Sequence, residues 1–431
     1  MPAGTRREVE ASPLSTLVVV AVWIAVAAYA AFWVPRRLPA RARDFDFGVY
    51  YAEALALAQH DNPYTVDLKP IAASFGFDIR PVDHATDPPP YLLMIEPLAA
   101  TGPARAFWIW TAANAAMLAL ALWLLFGIDA AGPRSAALLA AVAIAYPPVR
   151  ALFFFGQSKM SILLALAAAM RALQRRRDAS AGLLLAFASL TRIFPLLMAI
   201  FLILRRRWRA LRYMVGGIAV GVMVTVAVLG LSATIDWIAG IKILTLTMFL
   251  DAGENVALRA FVSRLVWAVF GVQASGGSEI ARQAAVMLSV AAAFLLTCVP
   301  TLRAATGDQE ADLRLFGLWV VAAVMLSPIA SIYDMILLLV PLSQIAQQAF
   351  TARAFGAAAV LAVASVALMF LVCGSGCLNS VGWIVSYLLV RRIGLPIGAL
   401  IAEGATLSLF LTYAAAYCSA LEPAAASGEP L

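Results

Sequence analysis

Residues 181–209 read AGLLLAFASLTRIFPLLMAIFLILRRRWR. The apolar part is long enough to cross a bilayer, which takes roughly 20 residues of helix. Arginines border it on both sides, Arg175 to Arg177 before it and Arg205 to Arg207, Arg209 and Arg212 after it. Basic residues collect on the cytoplasmic face of a membrane, so a single crossing would strand one cluster on the wrong side. The centre, SLTRIFP, offers a way out, because Pro195 interrupts a helix just after Arg192. The stretch is expected to form a broken hairpin that enters from the cytoplasm and returns. Such a shape is tolerated at membrane depth where protein or a cavity surrounds it.

The rest of the chain agrees with a membrane setting. Of 431 residues, 63% are apolar and 13% charged, and the mean hydropathy is +0.89. Soluble domains hold about 45–50% apolar and about 25% charged residues, so a soluble enzyme is excluded. A run at 14–34 follows Arg6 and Arg7 and reads as a retained signal anchor, and further apolar runs extend to residue 418. Counted together they predict an all-α polytopic membrane protein of about 11–13 spans, with 1–431 forming one transmembrane domain. The basic clusters orient it, leaving the segment 35–105 as a large first extracytoplasmic loop, against the weaker contrary vote of Arg36, Arg37, Arg41 and Arg43. The net charge of +7 is thereby an orientation signal, and no nucleic-acid partner is implied. The four cysteines show no zinc spacing; Cys373 and Cys377 bracket a short Gly-Ser loop as two thiols or a disulfide.

Chemistry must then come from the spans and that one loop. Residues 43–67, RDFDFGVYYAEALALAQHDNPYTVD, place Asp46, Tyr50 and Glu53 on one helical face and Phe47, Tyr51 and Leu55 on another. This predicts an interfacial amphipathic helix, whose acidic face is either functional or simply solvated. Asp44 and Asp46 also spell D-x-D, a weak signal for a cation beside a phosphate. Pro88 to Pro90 predict an extended connector, and Trp108 and Trp110 an interfacial aromatic belt. Gly156 to Lys159, GQSK, lie between two spans, where Lys159 either meets a lipid phosphate or reaches the headgroups. Arg192, an intramembrane cation, needs an acidic partner, for which Asp334 is the candidate; Asp334 is also placed to cap the following helix. Asn255, Arg259 and Arg264 occupy another outer segment. Walker, dinucleotide-binding, G-x-S-x-G and HExxH motifs are absent, and there are only two histidines, His60 and His84.

The ordered set DFDFGVYYAEALAL with NPY, PPPYLLMIEPLA, GQSK, then AGLLLAFASLTRIFPLLMAIFLILRRRWR resembles glycosyltransferase family 87 of the GT-C superfamily over roughly residues 40–345. The resemblance implies a GT-C-like bundle that transfers a hexose, most often mannose, from a polyprenyl-phosphate-linked donor to a lipid or glycan acceptor. That places a mannosyltransferase of cell-envelope glycan biosynthesis in the plasma (inner) membrane, its active site on the extracytoplasmic side. Its catalytic acid corresponds to Asp46, with Asp44 as the fallback. Substrate-binding positions correspond to Tyr50, Tyr51, Gln157, Lys159, Arg192, Tyr333 and Asp334. Lys159 stands where asparagine is expected, Arg192 where lysine is common, and Tyr333 or Asp334 where some members have histidine. No metal and no cofactor are expected, since the donor is a substrate that already carries a stable phosphate leaving group. Two other readings use the same spans: a carrier or flippase of a lipid-linked saccharide, and a non-catalytic scaffold of an assembly complex. A general base on the loop helix would separate the first from an enzyme.

Overall fold

The computed structural model describes residues 46–79, 83–127, 133–243, 255–270, 276–352, 356–373 and 404–421, together with Ile24. The run at 14–34 apart from Ile24, Asp44, and Cys377 lie outside the described residues. Every regular element described is helical. Apolar spans in lipid must satisfy each backbone group within the segment, which favours helices.

The loop segment supplies α1 (Asp46–Ala58), α2 (Leu68–Ala73) and α3 (Pro89–Ile95), followed by a 3-10 turn at Glu96–Ala100. Then come α4 (Pro103–Leu122), α5 (Pro133–Ala145), α6 (Pro147–Phe155), α7 (Lys159–Gln174) and α8 (Asp178–Thr191). A 3-10 turn at Phe194–Leu197 leads into α9 (Met198–Leu204), then α10 (Trp208–Ile243), α11 (Leu258–Phe270), α12 (Gly276–Arg303) and α13 (Gln309–Met325). A 3-10 segment at Ile332–Leu338 precedes α14 (Leu339–Ala352), α15 (Ala357–Cys373) and α16 (Gly404–Leu421).

Among the described residues three helices are long and apolar enough to cross a membrane, Pro103–Phe126, Trp208–Gly240 and Glu279–Arg303. A fourth is the pair Ala136–Ala145 and Pro147–Phe155, bent by 49° where Pro147 and Pro148 break the ladder. Some runs counted on the sequence as full spans are shorter helices, such as Lys159–Gln174 and Gln309–Met325.

Residues 178–204 have the broken form expected of them. Arg192 caps α8 in an extended conformation (φ −154°, ψ 146°), and the chain resumes as a 3-10 turn and α9. Both feet of the hairpin stand together: Arg207, just past α9, lies 3.4 Å from Asp178 at the start of α8. Around them the basic end of the bundle is locked. Arg205 pairs with Asp312 and donates to the carbonyls of Thr301, Ala304 and Ala305, closing the frayed end of α12. Arg207 reaches the other oxygen of Asp312 at 2.5 Å, and Gln309 donates to the Gln174 carbonyl. Fourteen residues of α8 rise about 21 Å from this end, so Arg192 stands at the opposite one.

Helix α8 packs along α10 and α7. The approach to α10 is close enough that a Cβ on Gly182 would lie 2.9 Å from Met214 N, a small-residue contact of the kind that binds helices in lipid. At the end away from the arginines, α1 to α3 form a second hydrophobic core around Phe47, Tyr51, Tyr91 and Leu92. Helix α1 is buried from Phe47 to Ala54, including Glu53, and so is not an interfacial helix with a solvated acidic face. Pro88 to Pro90 likewise differ from the extended connector expected. Pro88 precedes α3 and Pro89 and Pro90 form its first turn, where a missing N–H costs nothing.

Candidate active site

One face of α1 is fixed by aromatic packing. Phe47 stacks on Tyr51 at 6.1 Å between centroids and meets Phe77 and Phe107 edge-on at 6.3 and 5.3 Å. With that face anchored, Asp46, Tyr50 and Glu53 turn the other way. The docking partner is the turn after α6. Gly156 ends that helix in the left-handed region at φ +70°, and a Cβ there would sit 2.6 Å from the Phe47 Cβ. Its carbonyl accepts from Trp110 Nε1 at 2.7 Å, so Trp110 is part of the site wall and not of an aromatic belt; Trp108 is exposed.

Gln157 follows directly and is buried. Tyr50 donates its hydroxyl to Gln157 Oε1 at 2.9 Å, which leaves the amide nitrogen to donate to Asp46 Oδ2. One Asp46 oxygen is thus held by a neutral donor. Burial raises the Asp46 carboxyl from its ordinary 3.8 to about 6, against the Gln157 hydrogen bond and the nearby charges of Lys159 and Arg192.

Lys159, the first residue of α7, is buried, 3.5 Å from Asp334 Oδ1 and 5.4 Å from the centroid of the Tyr333 ring beneath it. Asp334 also fulfils its capping expectation, since its Oδ2 accepts from Ser331 N at 2.8 Å in a capping box. Asp334 is therefore the partner of Lys159, and the expected pairing with Arg192 is not formed. Arg192 Nη2 contacts Asp87 Oδ1 at 2.6 Å. Arg192 also lies at a helix end, beside the loop segment, and not mid-helix as the apolar run suggested. Asp87, only 1% exposed, is the residue that sequence reasoning missed. The signal was the acid just before the three prolines, whose role became visible once α3 began there. Tyr64 donates to the Asp87 carbonyl at 2.7 Å and Trp237 to that of Thr86 at 3.3 Å, tying the segment to the connection between α1 and α2 and to α10.

The structure thus brings Asp46, Tyr50, Gln157, Lys159, Arg192, Tyr333 and Asp334 to one end of the bundle. Tyr51 is on the opposite face of α1, its hydroxyl spent on the Thr101 carbonyl at 2.7 Å. Tyr91, edge-on to Tyr50 at 5.5 Å, joins the wall. Asn255 staples the late helices there: its Oδ1 accepts from Ala257 and Ala330, both at 3.1 Å, and its Nδ2 donates to Pro328. No group of three His, Cys, Asp or Glu residues suited to a metal occurs among the described residues. The arrangement supplies a carboxylate able to accept a proton near neutral pH, beside two cations able to meet an anion, Lys159 buried and Arg192 half-buried.

Comparison with known proteins follows the same line. The model of "Glycosyltransferase family 87" matches residues 86–328, more than half the chain. That span holds Asp87, Gln157, Lys159 and Arg192; Asp46 and Asp334 lie outside it. No curated protein matches significantly. Among solved structures, ArnT from Cupriavidus metallidurans bound to undecaprenyl phosphate is similar at 13% identity, covering 95% of this chain and 77% of its own, with a TM-score of 0.34. Its apo state gives 14% identity, 94% and 77% coverage, and 0.38.

Proposed function

Because this chain belongs to glycosyltransferase family 87, we propose that it moves a sugar, mannose foremost, from a polyprenyl-phosphate-linked donor to a lipid or glycan acceptor at the extracytoplasmic face of the plasma (inner) membrane. Asp46 is the general base. The observation that carries this is its environment: a carboxylate raised to about 6 by burial, pinned by Gln157, in the field of Lys159 and Arg192. At pH 7 it is mostly ionised and can take a proton.

Asp46 accepts the proton of the acceptor hydroxyl as that oxygen bonds to the anomeric carbon. The bond from that carbon to the phosphate oxygen breaks with its electron pair going to the phosphate, and polyprenyl phosphate leaves from the other face. One displacement inverts the anomeric centre. The transition state has oxocarbenium character, as in sugar transfer generally. Lys159 and Arg192 stabilise the phosphate charge as it develops. Each is preorganised by a buried acid, Asp334 or Asp87, so neither has to be ordered during the reaction. A donor dissolved in the bilayer suits a chain built of apolar helices and lacking nucleotide-binding loops. The outer placement rests on the site lying at the end of the bundle away from Arg205 and Arg207. The carrier and scaffold readings leave the raised base on α1 without a role.

The test is transfer of label from radiolabelled polyprenyl-phosphate mannose in membrane vesicles. Asp46→Asn should lose 10²–10⁴-fold in rate, the usual worth of a general base, at equal expression. Undiminished transfer by the variant would remove Asp46 from the mechanism.

A further inference from the structure

Glu53 is unlike every other glutamate in the described residues. It is 0% exposed, and neither carboxylate oxygen has a hydrogen bond of ordinary geometry. An ionised carboxylate so placed would cost several kcal/mol, and such groups either find a partner or keep their proton. It stands two turns along α1 from Asp46, on the same face. The charge that bears most on it is that of Asp87, whose Oδ1 contacts Arg192 but likewise lacks a hydrogen bond of ordinary geometry.

We propose that Glu53 is a positioning residue that keeps its proton in the resting enzyme, so that no second negative charge stands beside the Asp87 carboxylate that holds Arg192. The inference rests on the transferase reading for its consequence but not for its geometry. The groups facing Glu53 are Asp46 and Tyr50 on its own helix, Asp87 and the Thr86 amide before α3, Tyr91 on α3, Tyr64 between α1 and α2, and Arg192 at the end of α8. Charged residues on the other elements packed against α1 are engaged or turned out. Lys69 pairs with Asp83, Arg105 is exposed and Glu96 is half-buried. Burial and the Asp87 charge both push the Glu53 carboxyl well above the ordinary carboxylate range, and Arg192 and the Thr86 amide oppose them only in part.

Protonated, Glu53 leaves three carboxylates, Asp46, Asp87 and Asp334, against Lys159 and Arg192. Ionised, it adds a fourth and doubles the net negative charge at a site proposed to receive an anionic phosphate. Alkaline pH should therefore weaken donor binding more than turnover, since Glu53 touches neither reacting atom.

The direct test is infrared spectroscopy of the purified full chain in the Asp46→Asn background, where the other raised carboxyl among the described residues is gone. At neutral pH it should show the carbonyl stretch of a protonated carboxylic acid, shifted by ¹³C-glutamate labelling and lost in Asp46→Asn/Glu53→Gln. An absent band, a band unmoved by labelling, or one that survives Glu53→Gln overturns the proposal. This readout needs no transfer activity, so it stands apart from the fate of the transferase reading. In vesicles, Glu53→Gln alone should keep kcat within about twofold and reduce the alkaline rise in KM for polyprenyl-phosphate mannose, leaving the part that comes from Lys159, whose ammonium pKa burial lowers to about 8. Loss of most of kcat, or an unchanged alkaline limb, overturns it. On Asp46→Asn alone, absence of a glutamate-labelled band overturns the proposal even if Glu53→Gln does not accumulate.

Discussion

In the proposed mechanism Asp46, half-buried, serves as the base at a cost in stability. Its folded-state carboxyl titrates near 6, above the ordinary 3.8, so the folded chain holds the proton more tightly than the unfolded one. Stability then declines as pH rises between those two values and remains lower above them. Asp46→Asn removes that cost, and at neutral pH should stabilise the fold by roughly 1–3 kcal/mol while abolishing transfer. A thermal-shift measurement in detergent checks it; a lowered midpoint would mean that the ionised carboxylate is stabilised by the site. The same titration gives the acidic limb of the rate. Transfer should fall as pH drops below about 6, because the base is then protonated. Replacing Gln157 with Ala removes the donor that favours ionisation, so the limb should move to higher pH, read as the midpoint of a pH–rate profile. Asp46 and Gln157 were both legible as residue types at a suggestive spacing. Their hydrogen bond was not, because it spans 111 positions of chain.

At the scale of elements, the site depends on how closely α1 meets the turn after α6. Gly156 is required there twice, by its φ of +70° and by the Phe47 Cβ that would lie 2.6 Å from its own. Gly156→Ala should cost on the order of 2 kcal/mol or more, combining left-handed strain with a clash against a packed backbone neighbour. Because Gln157 is the next residue, kcat should fall with stability, seen as a lowered melting midpoint together with slowed transfer at permissive temperature. Gly182→Ala, more crowded still but on the α8–α10 contact, should lower the midpoint with a smaller change in kcat. The hairpin at 178–204 was readable because a proline and two basic clusters leave few alternatives. The burial of α1 was not. Its sequence sets carboxylates on one face as an interfacial helix would, and only the structure shows both faces covered, one by Phe77 and Phe107 around Phe47 and the other by Gln157.

Over the whole molecule, one end is bound by Arg205, Arg207 and Asp312 and the other carries the candidate site, with α7 and α8 running between them. Cysteines placed at exposed Ser74, near the site, and at exposed Thr306, beside the arginine cluster, should react with an impermeant reagent from opposite faces of the membrane. Labelling of both from one side would overturn the orientation. The sequence by itself determined the class of the protein and the broken hairpin. Hydrophobic run length, proline and the sign of loop charge act locally and need no knowledge of neighbours. It also drew attention to Asp46, Lys159, Arg192 and Asp334 as charges that topology left over. Only the tertiary structure decided how these charges pair. Lys159 takes Asp334, and Arg192 takes Asp87. An ion pair across a bundle is set by which helix ends meet, and the docking of α1 to α3 over the ends of α7 and α8 brings Asp87 to Arg192, 105 residues apart in sequence.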